Sequence, residues 1–311
     1  MPEPMAERTR LATAGAHAAV VANLGRQPRG DVVRGRVFFV VLLVAVGIAL
    51  AGLAAVILQS LVKGSPAFSM DLFTEGPSRV NPESAGFRPA IVGSIYAIAG
   101  VILLIVPLGV GAAVYLEEYA NKERWWNRLV ELNIQNLAAV PSIIYGILGL
   151  AFFVRGPFDL GFVVAAGSLT LALLVLPTVI LAAREAIRAV PPSIREGSLA
   201  LGATQWQTIR RQVLPASIPG IATGVILAVS RALGEAAPLL LVGAATFVTG
   251  DQPNPFEGGY SAMPVQIFNY ALQPQDEFRT LAAAGVVVML VVLLAMNSFA
   301  IWLRNRYERR W

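Results

Sequence analysis

The chain has 311 residues, of which 56% are hydrophobic and 14% are charged, and its mean hydropathy is +0.65. This composition excludes a soluble globular protein of such length and indicates an integral membrane protein. The chain contains no cysteine, so disulfides and thiolate metal sites are excluded too.

The predicted fold is all-α, with six transmembrane helices. Crossing about 30 Å of hydrocarbon takes roughly 20 helical residues, and six apolar runs are near or above that length. They cover residues 37–62, 89–116, 137–154, 160–183, 216–247 and 280–303. Residues 1–36 are predicted as a flexible cytoplasmic tail, 63–88 as an outer loop and 304–311 as a second tail. Residues 263–272 are predicted as a short helix on the outer surface.

The net charge of +5 is explained by topology. If the N-terminus is in the cytoplasm, the predicted outer loops contain only five basic residues: Lys63, Arg79, Arg88, Arg155 and Arg279. All the other lysines and arginines except Arg231, which lies within the fifth run, then face the cytoplasm. This bias predicts that both ends are cytoplasmic, and it disfavours nucleic-acid binding.

A segment too polar for lipid, residues 191–215, separates the fourth and fifth runs. Ser193 and Glu196 are three residues apart, as are Thr204 and Gln207, and each pair has the spacing of a helix capping box. The segment is therefore predicted to form two short capped helices.

The same segment has the pattern of a helix that lies against a partner or a membrane surface. Gly202 is predicted to end the first helix. In the second helix Trp206, Ile209 and Val213 share one face, and Arg210 and Arg211 lie elsewhere. A structured lever of this kind on the side of a membrane protein indicates that something pushes on it.

The fifth run contains two charges, Arg231 and Glu235, at the spacing of one helical face. Each charge costs about 2.5 to 3.5 kcal/mol at the centre of a membrane helix, so this face should avoid lipid. The pair is either a structural ion pair that fixes helix packing or part of a translocation path, and both readings are compatible. Gly224, Gly234 and Gly243 would allow close helix approach or a local break, and Pro238 would weaken the helix just after Glu235.

An anion would suit this pair. An arginine fork matches the oxygens of a tetrahedral oxyanion better than a lysine does. Glu235 could accept a hydrogen bond from a protonated ligand oxygen, which would favour hydrogen phosphate over sulfate. Arg184, at the cytoplasmic end of the fourth run, is a second and weaker candidate, because an arginine there commonly extends to the interface.

Several catalytic chemistries are excluded. The one histidine, His17, lies in the N-terminal tail, so a histidine-based triad or metal site in the membrane is ruled out. Neither lysine, Lys63 or Lys122, follows a glycine, so there is no phosphate-binding P-loop. The chain is therefore not expected to be an enzyme or to need a cofactor. If it is a transporter driven by nucleotide, a separate subunit must supply the energy.

Residues 191–215 resemble the EAA loop of type I ATP-binding-cassette importer permeases, which docks in a groove of the ATPase. The matching positions are Glu196, Gly197, Ser198, Gly202, Ala203, Leu214 and Pro215. Gly197 and Ser198 stand where the family usually has two alanines. We call residues 191–215 the coupling loop.

Other stretches resemble the PstA-type permeases of phosphate importers, from about residue 66 to the C-terminus. They read AIVGSIYAIAGVILLIVPLGVGAAVYLEEYA at 90–120, NLAAVPSIIYGILGLAFFV at 136–154 and SRALGEAAPLLLVGA at 230–244. The resemblance places the family's charged helix at Arg231 and Glu235, and its second arginine at Arg184.

The resemblance implies the MetI-like fold of a type I importer permease in a bacterial inner membrane, with residues 89–303 as its core. The first helix would wrap a second permease of the PstC type. Two PstB-type ATPases would bind on the cytoplasmic side, and a PstS-type binding protein would deliver phosphate outside. Glu196 would be the most sensitive residue of the coupling loop, either as a partner of a basic ATPase residue or only as a capping acid.

Three alternatives remain at this stage. The first is a permease of the same class for another oxyanion or an organic solute. The second is an ion-coupled secondary transporter in which Arg231 and Glu235 relay protons. The third is a signalling or scaffold membrane protein.

Overall fold

The computed structural model of the protein describes residues 29–78, 80–121, 123–244, 248 and 254–307. The described residues do not include 1–28, which belong to the predicted N-terminal tail, or 245–247 of the fifth predicted span. They also leave out Arg79, Lys122, 249–253 and 308–311. The first helix, α1 (Arg29–Gly64), contains the first apolar run. Residues 29–36, predicted as tail, are therefore helical. The chain divides after Gln59 into two compact units.

The second unit begins with short turns in the predicted outer loop and then forms a long helix. The short elements are Ser65–Ala67, α2 (Asp71–Thr74) and Pro82–Ser84. α3 (Arg88–Val114) continues through one π-helical turn, Tyr115–Tyr119. Pro89 stands in the first turn of α3, where its missing N–H removes no helical hydrogen bond. The second predicted span is thus confirmed and extends three residues beyond its predicted end at residue 116.

The third predicted span is a bent pair of helices. α4 (Trp125–Ala138) and α5 (Ser142–Gly149) meet at a break with a bend of 103°, and α5 continues through a π turn, Leu150–Val154. Pro141 lies in the break because it lacks an N–H and disfavours helical geometry in the residue before it. The Tyr145 hydroxyl donates to the Leu137 carbonyl at 2.8 Å and links the two helices.

α6 (Val164–Arg188) is the most buried of the long helices. Small residues let α3 come close to it, since a Cβ on Gly100 would lie 2.6 Å from the Ser168 hydroxyl oxygen. That hydroxyl donates to the Ala97 carbonyl of α3 at 3.1 Å. α6 is therefore the central helix of the second unit: α3, α4 and α5 pack against it, and so does the span that follows it.

The next four helices after α6 are short or broken, apart from one long span. They are α7 (Pro192–Ala200), α8 (Gln205–Thr208), α9 (Leu214–Gly234) and α10 (Ala237–Leu241). α8 passes through a π turn, Ile209–Val213, directly into α9. The fifth predicted span, 216–247, is interrupted, as Gly234 and Pro238 indicated: α9 ends at Gly234, and Glu235 has an extended backbone with φ −82° and ψ 115°.

α9 packs closely on α6 through glycine, as predicted for Gly224. A Cβ on Gly224 would lie 2.5 Å from the Ala182 Cβ, and one on Gly220 would lie 2.7 Å from the Ala186 Cβ. Glycines four residues apart facing alanines four residues apart allow two membrane helices to approach backbone to backbone. This contact fixes α9, and hence its broken end, against the central helix.

The side of the second unit that is predicted to face outward has its own core. α11 (Met263–Ala271) confirms the predicted short helix, but its buried residues include Met263 and Tyr270, so it packs inward instead of lying on the surface. The Tyr270 ring lies 5.2 Å from the ring of Phe87 and 5.5 Å from that of Phe278. Burial raises the pKa of Tyr270 to about 12, so its hydroxyl stays protonated and donates to the Gly86 carbonyl.

The last helix is α12 (Asp276–Tyr307), so residues 304–307 are helical and not part of a tail. In all, the described residues contain five helices that are long and apolar enough to cross a membrane, and six spans if the bent pair counts as one. The all-α, multi-pass fold predicted from sequence is confirmed.

Candidate functional site

Arg231 and Glu235 lie where α9 ends. Arg231 is in the last turn and Glu235 follows the helix, so the two do not share a helical face as their spacing predicted. They are still neighbours, because the Arg231 Nε lies 3.6 Å from the Glu235 Oε1. This separation is longer than a hydrogen bond. The Arg231 side chain is 47% exposed within the chain and that of Glu235 is 20% exposed, so the pair is open on one side.

The backbone at the end of α9 is irregular. Pro238 has no N–H, so it cannot donate to the Gly234 carbonyl four residues earlier. Within hydrocarbon, such a backbone is tolerated only where it is buried in protein or lines a watery cavity. A Cβ on Gly146 of α5 would lie 2.7 Å from the Pro238 Cα, whereas one on Gly234 would meet no atom within 4 Å. The break therefore packs against α5 at Pro238 and is open at Gly234.

Arg184 lies in a different and closed charge cluster. The residue is only 4% exposed. Its Nε and Nη2 donate to the Glu117 carboxylate at 3.0 and 2.9 Å, and its Nη2 also donates to Glu131 at 2.9 Å. Arg188 donates to the same Glu117 oxygen. The structure thus pairs Arg184 with Glu117 and Glu131, and Arg231 with Glu235.

The turn of the coupling loop is built by its backbone. Gly202 has φ +84°, a conformation that glycine adopts without steric cost. Its N–H donates to the Leu199 carbonyl at 2.9 Å, and the Ala203 N–H donates to the Ser198 carbonyl at 3.2 Å. These two bonds form a Schellman motif, which satisfies the free carbonyls at the end of α7. The prediction that Gly202 ends the first helix is confirmed.

One of the two predicted capping boxes forms. The Thr204 hydroxyl accepts from the Gln207 N–H, and the Gln207 side chain accepts from the Thr204 N–H, so this box is confirmed. The box of Ser193 and Glu196 is wrong, because α7 begins at Pro192 with Pro191 as its N-cap and has no side-chain cap. Proline suits the first helical position, and this start places Ser193 inside the helix.

The outer surface of the coupling loop exposes groups that suit a protein partner. Glu196 and Gly197 are exposed, and a Cβ on Gly197 would meet nothing within 4 Å. Leu201 is 91% exposed and Trp206 is 52% exposed, so Trp206 does not share the buried face of Ile209 and Val213 as predicted. A cavity of about 410 Å³ opens between α7 and α8, lined by Ser193, Gly197, Leu201, Gln207 and Arg211 among others.

The inner surface of the loop is tied to the helices beneath it. Ile209 and Val213 are 1% and 0% exposed, so the face that they share is buried within this chain itself. The hydroxyls of Ser198 and Thr208 lie 2.9 Å apart and link α7 to α8. Leu214 is half-buried and Pro215 exposed at the start of α9.

Sequence reasoning missed the two glutamates that pair with arginines of α6 and of the coupling loop. Glu117 and Glu118 lie on the π turn that extends α3, and their side chains are 5% and 10% exposed. Their partners Arg184 and Arg195 are more than 60 residues away in the chain. The available signal was the pair of adjacent glutamates at a helix end that was predicted to face the same compartment as a group of arginines.

The fold and these two charge clusters define a class: a multi-pass, all-α membrane permease with a charge pair at a helix break and a structured helical loop. The chain belongs to the family of binding-protein-dependent transport system inner membrane components, whose model matches residues 105–311.

The chain is similar to several bacterial permease proteins. It is 35% identical over 257 residues to the phosphate transport system permease protein PstA of Haemophilus influenzae, covering 82% of this chain and 88% of that protein. It is 34% identical to PstA of Yersinia pestis, covering 79% and 81%. It is 31% identical to the probable ABC transporter permease protein YqgI of Bacillus subtilis, covering 78% and 85%.

Solved structures agree on the fold. A chain of a bacterial alginate ABC transporter matches with a TM-score of 0.65 at 17% identity, covering 91% of this chain and 99% of that one. A chain of the inward-facing MetNI methionine ABC transporter matches with a TM-score of 0.55 at 16% identity, covering 71% and 97%. At this identity the likeness establishes the fold alone, which is that of importer permeases.

Proposed function

We propose that this protein is a pore-forming permease subunit of an ATP-driven importer for inorganic phosphate. The observation that carries the proposal is the half-exposed Arg231 beside Glu235 at the open end of α9. Similarity to PstA proteins over about four fifths of the chain supports phosphate as the substrate.

The chemistry of the pair suits a partly protonated tetrahedral anion. A half-exposed ion pair contributes on the order of 0.2 to 1 kcal/mol, whereas a hydrogen bond to a charged group contributes about 1.5 to 3 kcal/mol. An entering anion can therefore replace Glu235 as the partner of the Arg231 fork. The released carboxylate then accepts a hydrogen bond from a P–OH group, which hydrogen phosphate has and sulfate lacks at neutral pH.

The coupling loop is the proposed contact with the ATPase. The residues at this contact are Glu196, Gly197, Ser198, Gly202, Ala203, Leu214 and Pro215. Support comes from the exposed Glu196, Leu201 and Trp206 and from the 410 Å³ cavity that Leu201 lines. A groove of another subunit can cover this surface. In the proposed cycle, ATP binding brings two PstB-type ATPases together, the loops follow them, and the pore opens outward; hydrolysis restores the inward-facing state.

Two further subunits complete the proposed importer. A PstC-type sister permease would form the other half of the pore, and a PstS-type binding protein would deliver phosphate from outside. Arg184 stays a proposed second position of the path, one that would require a conformation in which its two carboxylates release it.

The proposed orientation in the bacterial inner membrane has both termini in the cytoplasm. Six crossings put both ends on one side, and the positive-inside bias puts that side in the cytoplasm. Because the chain has no cysteine, single cysteines are clean probes of the orientation. A cysteine at Gly197 should react with an impermeant thiol reagent only from the cytoplasmic side, and reaction from outside would contradict the orientation.

Transport by the reconstituted four-component complex in liposomes tests the function. We expect ATP-dependent uptake of radiolabelled phosphate that excess unlabelled phosphate abolishes and that sulfate and molybdate leave largely unchanged. Preferential uptake of another anion would identify a permease of the same class with a different substrate. Uptake that survives loss of ATP but stops with a proton uncoupler would identify a secondary transporter. If no solute moves at all, the protein would be a signalling or scaffold protein.

A further inference from the structure

The end of α3 makes contacts that the proposed cycle does not yet use. Its π turn, Tyr115–Tyr119, carries Glu117 and Glu118, whose side chains go to different elements. The Glu117 carboxylate accepts from Arg184 and Arg188 of α6. The Glu118 carboxylate instead accepts from Arg195 of α7, at 3.1 Å from Nε and 2.9 Å from Nη2. One helix end thus holds both the central helix and the coupling loop.

Glu118 is bound to the coupling loop at a second point. Its backbone carbonyl accepts from the Gln205 side-chain amide, at the first residue of α8, at 2.6 Å. A single residue of α3 therefore touches both helices of the loop, on either side of the Gly202 turn. We call the contacts of Glu118 with Arg195 and Gln205 the Glu118 tether.

Arg195 also fixes α7 to the end of α6. Its guanidinium donates to the carbonyls of Val190 and Ile187, the latter at 2.9 Å. Ile187 lies in the last turn of α6 and Val190 just beyond its C-cap, where carbonyls lack intrahelical donors. The planar fork of arginine lets one side chain serve the carbonyls of α6 and the carboxylate of α3 together.

The covalent connections of the coupling loop do not include α3. The loop continues from α6 through Pro191 and into α9 through the π turn after α8. A displacement of the loop therefore reaches α6 and α9 along the chain, but it reaches α3 only through side chains. The Arg195–Glu118 pair is well suited to this, because its side chains are only 22% and 10% exposed, so water and salt compete little with it.

We propose that Glu118 is a positioning residue which makes α3 move with the coupling loop. The inference rests on the proposed function, in which an ATPase displaces that loop. α3, α6 and α7 then shift as one body, and the end of the pore helix α3 follows the nucleotide state of the ATPase. Without the tether, the loop turns about Pro191 and Gly202 while α3 stays behind.

A distance measurement in the assembled complex tests this. Tyr115 of α3 and Leu199 of α7 are 53% and 49% exposed, and the chain has no cysteine, so spin labels at Tyr115→Cys and Leu199→Cys report on the two elements. The partner subunits are used in cysteine-free form, and double electron–electron resonance compares the nucleotide-free and ATP-bound states. We expect one narrow distance that is the same in both states.

The variant Glu118→Gln removes the charge and keeps the shape of the side chain. In this variant we expect the label distance to broaden and to differ between the two states. We also expect the ratio of ATP hydrolysed to phosphate imported to rise about fivefold or more, the low end of typical coupling between sites. The matched control is Asp276→Gln, which removes a carboxylate from an exposed pair on α12 and should change neither quantity.

Gln205→Ala is a second variant that leaves all charges in place. It should broaden the label distance less than Glu118→Gln does. If Glu118→Gln does not accumulate in the membrane, Gln205→Ala replaces it in the distance measurement. A label distance that changes with nucleotide in the unmodified complex overturns the proposal, as does a Glu118→Gln complex with unchanged distances and coupling ratio.

This test separates the tether from the proposed substrate. The label distances need nucleotide and the ATPase but no phosphate. A complex that keeps the distance constant yet imports no phosphate contradicts only the proposed substrate. A complex that imports phosphate while the distance changes contradicts only the tether.

Discussion

Two arginines on neighbouring helices, Arg184 of α6 and Arg231 of α9, meet carboxylates in opposite ways. Arg184 is 5% exposed at its side chain and bonds to two carboxylates at 2.9 Å. Arg231 is 47% exposed and faces one carboxylate at 3.6 Å. A buried guanidinium whose charge is fully compensated holds helices together in this conformation, whereas a half-exposed guanidinium with a distant partner can bind a ligand. The difference in partner geometry, and not the residue type, separates the two sites.

The largest effect should come from Arg184→Met. The change leaves the Glu117 carboxylate buried without its main partner, which typically costs about 3 to 5 kcal/mol. We expect a marked fall in the melting temperature of the purified complex and in the yield of folded chain. Arg279→Met on the exposed pair with Asp276 is the control and should change stability by about 0.5 kcal/mol or less. Equal melting temperatures for Arg184→Met and the unmodified complex would refute the architectural role.

Arg231→Lys should spare stability and impair transport. The charge stays, but the fork that binds two oxygens is lost. One lost charge-assisted hydrogen bond of about 1.5 to 3 kcal/mol corresponds to roughly 10- to 100-fold weaker phosphate uptake. Initial uptake rates in liposomes and melting curves measure the two effects separately. Full uptake with lysine at this position would show that no fork contacts the anion.

Glu235→Gln tests the other half of the open pair. The lost ion pair should cost less than about 1 kcal/mol of stability, because one partner is half exposed. The amide still accepts a hydrogen bond but no longer repels a fully charged anion, so sulfate should compete better with phosphate. Competition of unlabelled sulfate against labelled phosphate uptake measures this, and unchanged uptake and selectivity would count against a role for Glu235.

The smallest effect is expected from Glu131→Gln. Glu131 is the outer acceptor of Arg184, its side chain is 40% exposed, and water can replace it. We expect Glu131→Gln to lower the free energy of unfolding by about 1 kcal/mol or less. Glu117→Gln should lower it much more, because the Glu117 side chain is only 5% exposed. Similar melting temperatures for the two variants would mean that burial does not rank the two carboxylates as proposed.

The spans and the turn of the coupling loop could be predicted because their signals are local. Apolar runs of membrane length identified the spans, Gly202 marked the positive-φ turn, and the Thr204–Gln207 spacing gave the capping box. Each of these depends on residues within one or two turns of the chain. The close packing at Gly224 also followed from residue size alone.

The closed cluster could not be predicted for the opposite reason. Glu117 lies one residue beyond the apolar run, and only the fold brings Arg184 to it across 67 positions. Hydropathy alone also did not place the end of α9, since the apolar run continues past Gly234; the local signals of the break were Gly234 and Pro238 themselves. The Ser193 box failed because the helix begins at Pro192, two residues earlier than a serine cap at position 193 requires.

Access of water and anion to the Arg231–Glu235 pair is the central claim, and Gly234→Cys measures it most directly. A Cβ at Gly234 meets no atom within 4 Å, and the chain has no other cysteine. In the reconstituted complex we predict that this thiol reacts with a small anionic methanethiosulfonate reagent, and that phosphate but not sulfate slows the reaction. A thiol that does not react, or that reacts at the same rate with and without phosphate, would contradict the account.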